Sequence, residues 1–422
     1  MPTGIANPAH GSAARPAAKG AFVVHCMVSA SNSALDVLLK NGVIVFAAYH
    51  GGLDTRTLSL IAALSWALFM APFFLLSAHA GFLGDRFDNR RLALALKAAD
   101  LAIAAGAAYG FRTGNLALLL GVVFAKGCTA TLFSPIKFSL VAALLPAARQ
   151  GAGYALLEAV SMMAILGGTY LGAMLGAEPD PWKIGLVALV IAGASLLTAV
   201  FYPRLARSGD EITPLGIDPI RPTAKILHMA YSNRHAFSAI LALSWFWALG
   251  AVYLANVAPL VRDTFHGDKS QVAAILVIFT LGVSLGLGSS AWLNRGRLAR
   301  RMGLLMAAVM AVLGLGLLGS SAQAFGRTLV LFLGIAFASG VYAGHYSAIL
   351  YEAAGDRGKA RLFAANNIMS SLVMVLCLGM SALVLGMNLP VETCLALFAA
   401  ASIPVTVFIG AMNRPHRGAE NA

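Results

Sequence analysis

Seven ionisable residues stand inside long apolar runs of the chain: Asp36, Lys40, Lys97, Asp100, Lys126, Lys137 and Glu158. A charge at mid-bilayer costs about 2.5–3.5 kcal/mol on insertion scales, so each needs a partner, water or a function. The first set lies in ALDVLLKNGVIVF, residues 34–46. Asp36 and Lys40 are four apart and share a helix face, flanked by Asn41. Such a face can line a path for a charged cargo or carry a proton, or its two charges can neutralise each other as an internal pair.

Lys137 lies in LFSPIKFSL, where Pro135 frees a backbone carbonyl and favours a kink. Glu158 lies in GYALLEAVSMM. The two are about equally far from a turn centred near Pro146–Arg149, so they can meet across a hairpin. Lys137 can equally snorkel to the surface. A shift of 208 residues places His345 over Lys137 and Asn366 over Glu158, with Asn367 adjacent. Adjacent amides in a lipid-embedded helix bond to other helices or line a cavity. Lys97 and Asp100, three apart, are expected to neutralise each other, whereas the spacing supplies no mate for Lys126.

Positioning such residues requires membrane-spanning elements. Hydrophobic residues make up 59% of the 422 and charged ones 11%, against about 25% charged in soluble proteins. Repeated apolar runs of about 20 residues predict an all-α polytopic membrane protein. Twelve spans are expected, near 24–49, 57–80, 92–111, 115–143, 151–177, 182–202, 236–260, 270–293, 302–321, 327–350, 361–386 and 391–412. With both termini inside, 20 of the 30 lysines and arginines fall on inner loops and 6 on outer ones. That asymmetry also accounts for the net charge of +13 without nucleic acid. The expected organisation is a disordered tail over 1–20, a six-helix bundle over 21–203, a cytoplasmic linker over 204–235, a second bundle over 236–412 and a tail over 413–422. Under the same shift Arg149 meets Arg357, Ala152 meets Ala360, Ser139 meets Ser347 and Gly42 meets Gly250, as two parallel repeats would.

Several signals are discounted. The four cysteines all fall in apolar runs with no CxxC pair, and neither a metal nor a cofactor is expected. GLGLLG, 314–319, fits a dinucleotide pattern but lies inside a span with no strand before it, and reads as packing glycine. Gly168, Gly172 and Gly176 form a seam for close helix contact. Patterns for ATP hydrolysis, acyl transfer, serine hydrolysis and zinc peptidases are missing, so an enzyme is not expected.

The loop GFLGDRFDNRR, 81–91, resembles the signature of the major facilitator superfamily at Gly81, Asp85, Arg86, Arg90 and Arg91. That resemblance implies two six-helix bundles and a charged conformational latch on the inner side. A narrower resemblance follows from LDVLLKNGVIVF, FSPIKFSLV, YALLEAVSMMAILGG, SWFWALG and ILYEAAGDRGKARLFAANN. In this order and placement they are similar to the lysophospholipid transporter (LplT) family. Leu35 and Val37 depart from it, standing where the family commonly has small or amide residues. The resemblance implies movement of lysophosphatidylethanolamine or lysophosphatidylglycerol from the outer to the inner leaflet of a bacterial inner membrane. Re-acylation there would fall to a separate acyltransferase. Asp36, Lys40, Asn41, Lys137, Glu158, His345, Asn366 and Asn367 would contact the substrate. The alternative is a proton-coupled exporter of drugs or metabolites, with Asp36 and Glu158 as proton sites.

Overall fold

The computed structural model describes residues 14–86, 88–202, 224, 227, 228, 230–293, 301–320 and 324–412. The elements are α1 (Ala14–His50), α2 (Thr55–Arg86), α3 (Asn89–Thr113), α4 (Leu116–Leu144), α5 (Ala147–Gly176) and α6 (Trp182–Ala199) in the first half. The second half holds α7 (Arg234–Ala255), α8 (Val257–Asp263), α9 (Lys269–Leu293), α10 (Met302–Leu315), α11 (Phe325–Gly386) and α12 (Val391–Met412). Among the described residues, 12 segments are long and apolar enough to cross a membrane, in the expected order. Local chemistry sets several helix starts. Asp88, Asn115 and Asn233 each accept a backbone N–H three residues on, the N-cap arrangement. Gly114, at φ 67°, closes α3 in the left-handed conformation that glycine adopts without penalty.

Three features depart from the sequence expectation. Helix α1 begins at Ala14, inside the stretch expected to be a disordered tail. Pro16 falls in its first turn, where a missing N–H breaks no helical bond. Span 7 is broken at Asn256, whose side chain turns onto the carbonyl of Val252 (2.8 Å) and onto Ser381 (3.1 Å). Spans 10 and 11 share one helical run of 62 residues, with no loop between them. Straight, it would measure about 93 Å, some three bilayer cores. Its contacts show that it turns back. Phe332, early in span 10, and Ser381, late in span 11, both lie by the outer end of span 7, against Tyr253 and Asn256. Ser370 meets Ser244 deeper in. The linker expected over 204–235 lies largely outside the described residues.

The halves repeat the same packing. Spans 1 and 5, 2 and 4, and 3 and 6 pair in the first, as do 7 and 11, 8 and 10, and 9 and 12 in the second. Glycine makes the closest of these contacts. A Cβ on Gly168 would collide with the carbonyl oxygen of Ala34, which bears out the seam read from the sequence. One on Gly286 would collide with that of Phe337. Gly314, from the discounted dinucleotide pattern, packs on Ala399 as expected of a packing glycine.

Cross-half hydrogen bonds among the described residues gather at one face, termed outer from the lysine and arginine distribution. Tyr49 donates to the carbonyl of Gly267 at 3.1 Å, and Arg262 to that of Leu53 at 2.8 Å. Lys269, at the start of span 8, pairs with Glu178, just past span 5. Just inside them, Asn41, Ile44 and Val45 line one small cavity with Leu254, Val257 and Ala258.

The hydrogen bond and charge of Lys269 hold the Glu178 carboxyl below its ordinary value of 4.5, with Lys183 at 3.8 Å adding to the effect. A depressed value means that the pair contributes fully above the ordinary glutamate range and is lost as pH falls through the lowered one. Spin labels at positions 54 and 266 should therefore show a single short distance at neutral pH and a growing longer component on acidification. Glu178→Gln should show the longer component at neutral pH, with little further response to acid. A distance insensitive to both would remove the pair from the outer closure.

Candidate functional site

Among the described residues, Asp36, Lys97, Asp100 and Lys126 converge where α1, α3 and α4 meet. The Lys126 ammonium, on α4, lies 2.7 Å from Asp36 of α1 and 3.1 Å from Asp100 of α3. Lys97 pairs with Asp100 at 2.8 Å and stands 4.2 Å from the ring centre of Phe133. Asn32, one turn before Asp36, accepts from Lys97 at 2.5 Å and from Lys126 at 3.3 Å. Its amide nitrogen donates to Asp36 at 3.0 Å. Thr129 donates to Asp100 at 2.6 Å. The contact of Lys126 with the nearer Asp36 oxygen is an ion pair without hydrogen-bond alignment.

The cluster holds two ammonium groups and two carboxylates and is therefore neutral. Lys97, Asp100 and Lys126 are at most 1% exposed, whereas the Asp36 side chain keeps 17%. Asp36 is thus the most exposed member of the cluster.

Several expectations change. Lys97 and Asp100 do neutralise each other, but as part of a larger cluster. Lys126, left without a mate by sequence spacing, is its centre. The internal pair of Asp36 with Lys40 does not form. Asp36 turns to Lys126, and the Lys40 ammonium sits 3.2 Å from the ring centre of Trp66 and 5.0 Å from that of Phe69, both on α2. Sharing a helix face brings two side chains near, and the neighbouring helices then decide where each goes.

The other candidates lie apart from this cluster. Asn41 reaches Thr169 of α5 at 3.5 Å. Lys137 is half-buried, and its carbonyl accepts from His25, whose other ring nitrogen meets the Tyr202 hydroxyl at 3.0 Å. The side chain of Glu158 lies outside those described, and with it the expected pairing to Lys137. Asn366 is buried with no partner for its carbonyl oxygen among the described residues, Asn367 is exposed, and His345 stands against Tyr346 at 5.0 Å. Of the latch candidates, Gly81 is described only as part of α2, and the side chains of Asp85 and Arg86 also lie outside those described. Arg90 donates to the carbonyl of Val200 at 2.9 Å, at the C-terminal end of α6 where a cation is favoured. The backbone N–H of Arg91 is capped by Asp88.

Sequence reasoning missed Asn32, Thr129 and Trp66. Asn32 continues the four-residue spacing of Asp36 and Lys40, and Thr129 follows Lys126 by three, so periodicity carried a signal for both. Trp66 carried none, being one aromatic residue in an apolar helix.

Two six-span halves packed in the same order, with charge buried between helices of one of them, define a multi-pass membrane carrier. The Major Facilitator Superfamily profile matches residues 20–378, and the chain belongs to that superfamily. It is 23% identical over 340 residues to the "Lysophospholipid transporter LplT" of Photorhabdus laumondii, covering 77% of this chain and 80% of that protein. It is 25% identical over 335 residues to the protein of the same name from Enterobacter sp. strain 638, with the same coverage of 77% and 80%. Among solved structures, a point mutant of the nucleoside transporter NupG superposes with a TM-score of 0.68 at 12% identity, over 93% of this chain and all of that one. A bacterial homologue of the human lysosomal transporter Spinster, described as inward-facing and unoccupied, does so with a TM-score of 0.64 at 12% identity, over 94% and 96%. The structures establish the fold.

Removing Lys126 would leave Asp36 and Asp100 sharing a site without their common counter-charge. Loss of one partner of a buried pair costs about 3–5 kcal/mol. Lys126→Met should therefore lower the thermal midpoint of the detergent-solubilised protein by several degrees, and adding Asp36→Asn should recover part of the loss. A single variant as stable as the wild type would show that the cluster holds nothing together.

Proposed function

We propose that the protein carries lysophospholipids, lysophosphatidylethanolamine and lysophosphatidylglycerol among them, from the outer to the inner leaflet of a bacterial inner membrane by alternating access. Both termini are then cytoplasmic, and a separate acyltransferase re-acylates the delivered lipid. The relatives named as lysophospholipid transporters support the substrate class.

The observation that carries the reading is the division of charge between the halves. In the first half the membrane-embedded segments hold Asp36, Lys40, Lys97, Asp100 and Lys126 away from their ends, with Lys137 at the end of span 4 and Glu158 at the edge of span 5. In the second half the charged residues of the spans stand only at their ends, as Arg234, Arg262, Asp263, Lys269, Arg327 and Glu392. A lysophospholipid has a charged head that resists hydrocarbon and a single acyl chain that does not. One polar half facing one uncharged half suits such a molecule.

On this reading Asp36 and Glu158 face the ethanolamine ammonium, and Lys40 and Lys137 the phosphate as point charges. Asn41, His345, Asn366 and Asn367 supply hydrogen bonds. Gly81, Asp85, Arg86, Arg90 and Arg91 form the inner latch, which holds the inner side shut in the other state of the cycle.

Flipping of fluorescent lysophosphatidylethanolamine by the reconstituted protein tests the proposal. Wild type should accelerate it, and Asp36→Asn, Lys137→Ala and Glu158→Gln should each slow it by about tenfold, as expected for loss of one charged hydrogen bond. Flipping at the rate of protein-free vesicles would end the lipid reading. Uptake of a cationic dye under a proton gradient, in place of lysolipid, would favour the exporter.

A further inference from the structure

The membrane interior of the first half contains four lysines, Lys40, Lys97, Lys126 and Lys137, against three carboxylates, Asp36, Asp100 and Glu158. Lys97 and Lys126 share Asp36 and Asp100. Lys40 is 4% exposed, and among the described residues no carboxylate lies within 4 Å of its ammonium. What it touches is the face of Trp66, at 3.2 Å, with Phe69 at 5.0 Å. An indole face offsets part of the charge but supplies no hydrogen-bond acceptor. Trp66 is itself 7% exposed, and its indole N–H is buried with no partner among the described residues. A buried donor without an acceptor is rare in folded proteins and needs a reason. An ammonium on a buried side chain and a buried indole N–H beside it, neither with an acceptor among the described residues, share one remedy: an anion that takes both.

We propose that Lys40 and Trp66 form a seat for a phosphodiester anion. Lys40 supplies the charge, Trp66 holds the ammonium on its ring face, and the indole N–H donates to an anion oxygen at the ring edge. The seat lies one helical turn outward of Asp36 on α1 and one turn before Ile44, which lines a small cavity with Val45, Leu254, Val257 and Ala258. Trp66 belongs to an apolar core that includes residues of both halves, and its helix α2 packs on α11 of the second half. With Asp36 a turn away, the two sites present opposite charges at a separation suited to a headgroup whose phosphate and ammonium are neighbours. Trp66 thereby becomes a binding residue, and Lys40 rather than Lys137 the principal phosphate contact.

This inference rests on the proposed anionic cargo, and the test separates the two. Full-length protein in nanodiscs is titrated with fluorescent lysophosphatidylglycerol, with monoacylglycerol of the same chain as the uncharged control and inorganic phosphate as competitor. Wild type should bind the phospholipid and not the monoacylglycerol. Lys40→Met should weaken binding by about tenfold or more, the loss of a charge-assisted hydrogen bond. Trp66→Phe, which keeps an aromatic face and removes the N–H, should weaken it about three- to tenfold. Lys40→Arg should retain most of the affinity, and thermal midpoints near wild type show that the variants are folded. Competition by millimolar phosphate identifies a seat open to the free anion, and its absence one reserved for the lipid headgroup; both support the seat provided Lys40→Met binds weakly. Wild-type binding that survives both Lys40→Met and Trp66→Phe overturns the seat and leaves the lipid reading standing. A wild type that binds neither lysophosphatidylglycerol nor phosphate overturns the seat, and failure of lysolipid flipping in vesicles overturns the cargo.

Discussion

An ammonium group buried among helices in hydrocarbon must find negative charge, and in this protein one ammonium finds it twice. Lys126 draws Asp36 from α1 and Asp100 from α3 to the same point on α4. Helices α3 and α4 follow one another directly, whereas α1 lies well before both in sequence, and the cluster ties its rotation to theirs. Apolar packing alone tolerates sliding and turning in lipid, because a leucine facing lipid is as well solvated as one facing another helix. An ion cluster does not tolerate it, since a turn of any one helix would strip a charge of its partner. The register of the first half, and with it the direction in which Asp36 and Lys40 point, follows from that requirement.

The second half has no such cluster among its described residues and is held by other means. Hydroxyl and amide contacts replace ions: Ser244 with Ser370, Trp245 with Ser402, Tyr342 with Thr406, Asn256 with Ser381. Glycine seams bring spans 8 and 10 together backbone to backbone, as they bring spans 1 and 5 together in the first half. Two bundles of common packing order therefore use different chemistry. The internal repeat survives in geometry where the matching residues, such as Lys137 and His345, no longer carry the same charge.

Much of the fold was legible in the sequence because the bilayer imposes long apolar runs and asymmetric loop charge. The twelve spans and the glycine seam at Gly168 were readable from period and composition alone. The joining of spans 10 and 11 was not, because GDRGKAR carries polar residues that read as loop and can also continue a helix. The site was legible in its parts rather than its pairings. Asp36, Lys97, Asp100 and Lys126 stood out as buried charges, but spacing along one helix ranks only partners on that helix. It paired Asp36 with Lys40 and left Lys126 alone, whereas the real partners come from three segments. The break at Asn256 had no signal beyond an amide near a span end.

The neutrality of the Asp36, Lys97, Asp100 and Lys126 cluster also bears on energetics in a living cell. Moving one unmatched elementary charge across a membrane potential takes about 2.3 kcal/mol per 100 mV. A quartet that sums to zero, displaced as one body, does no net work against that voltage in either direction. The first half can therefore carry its most heavily ionised region through a rocking motion without the resting potential favouring one orientation on that region's account.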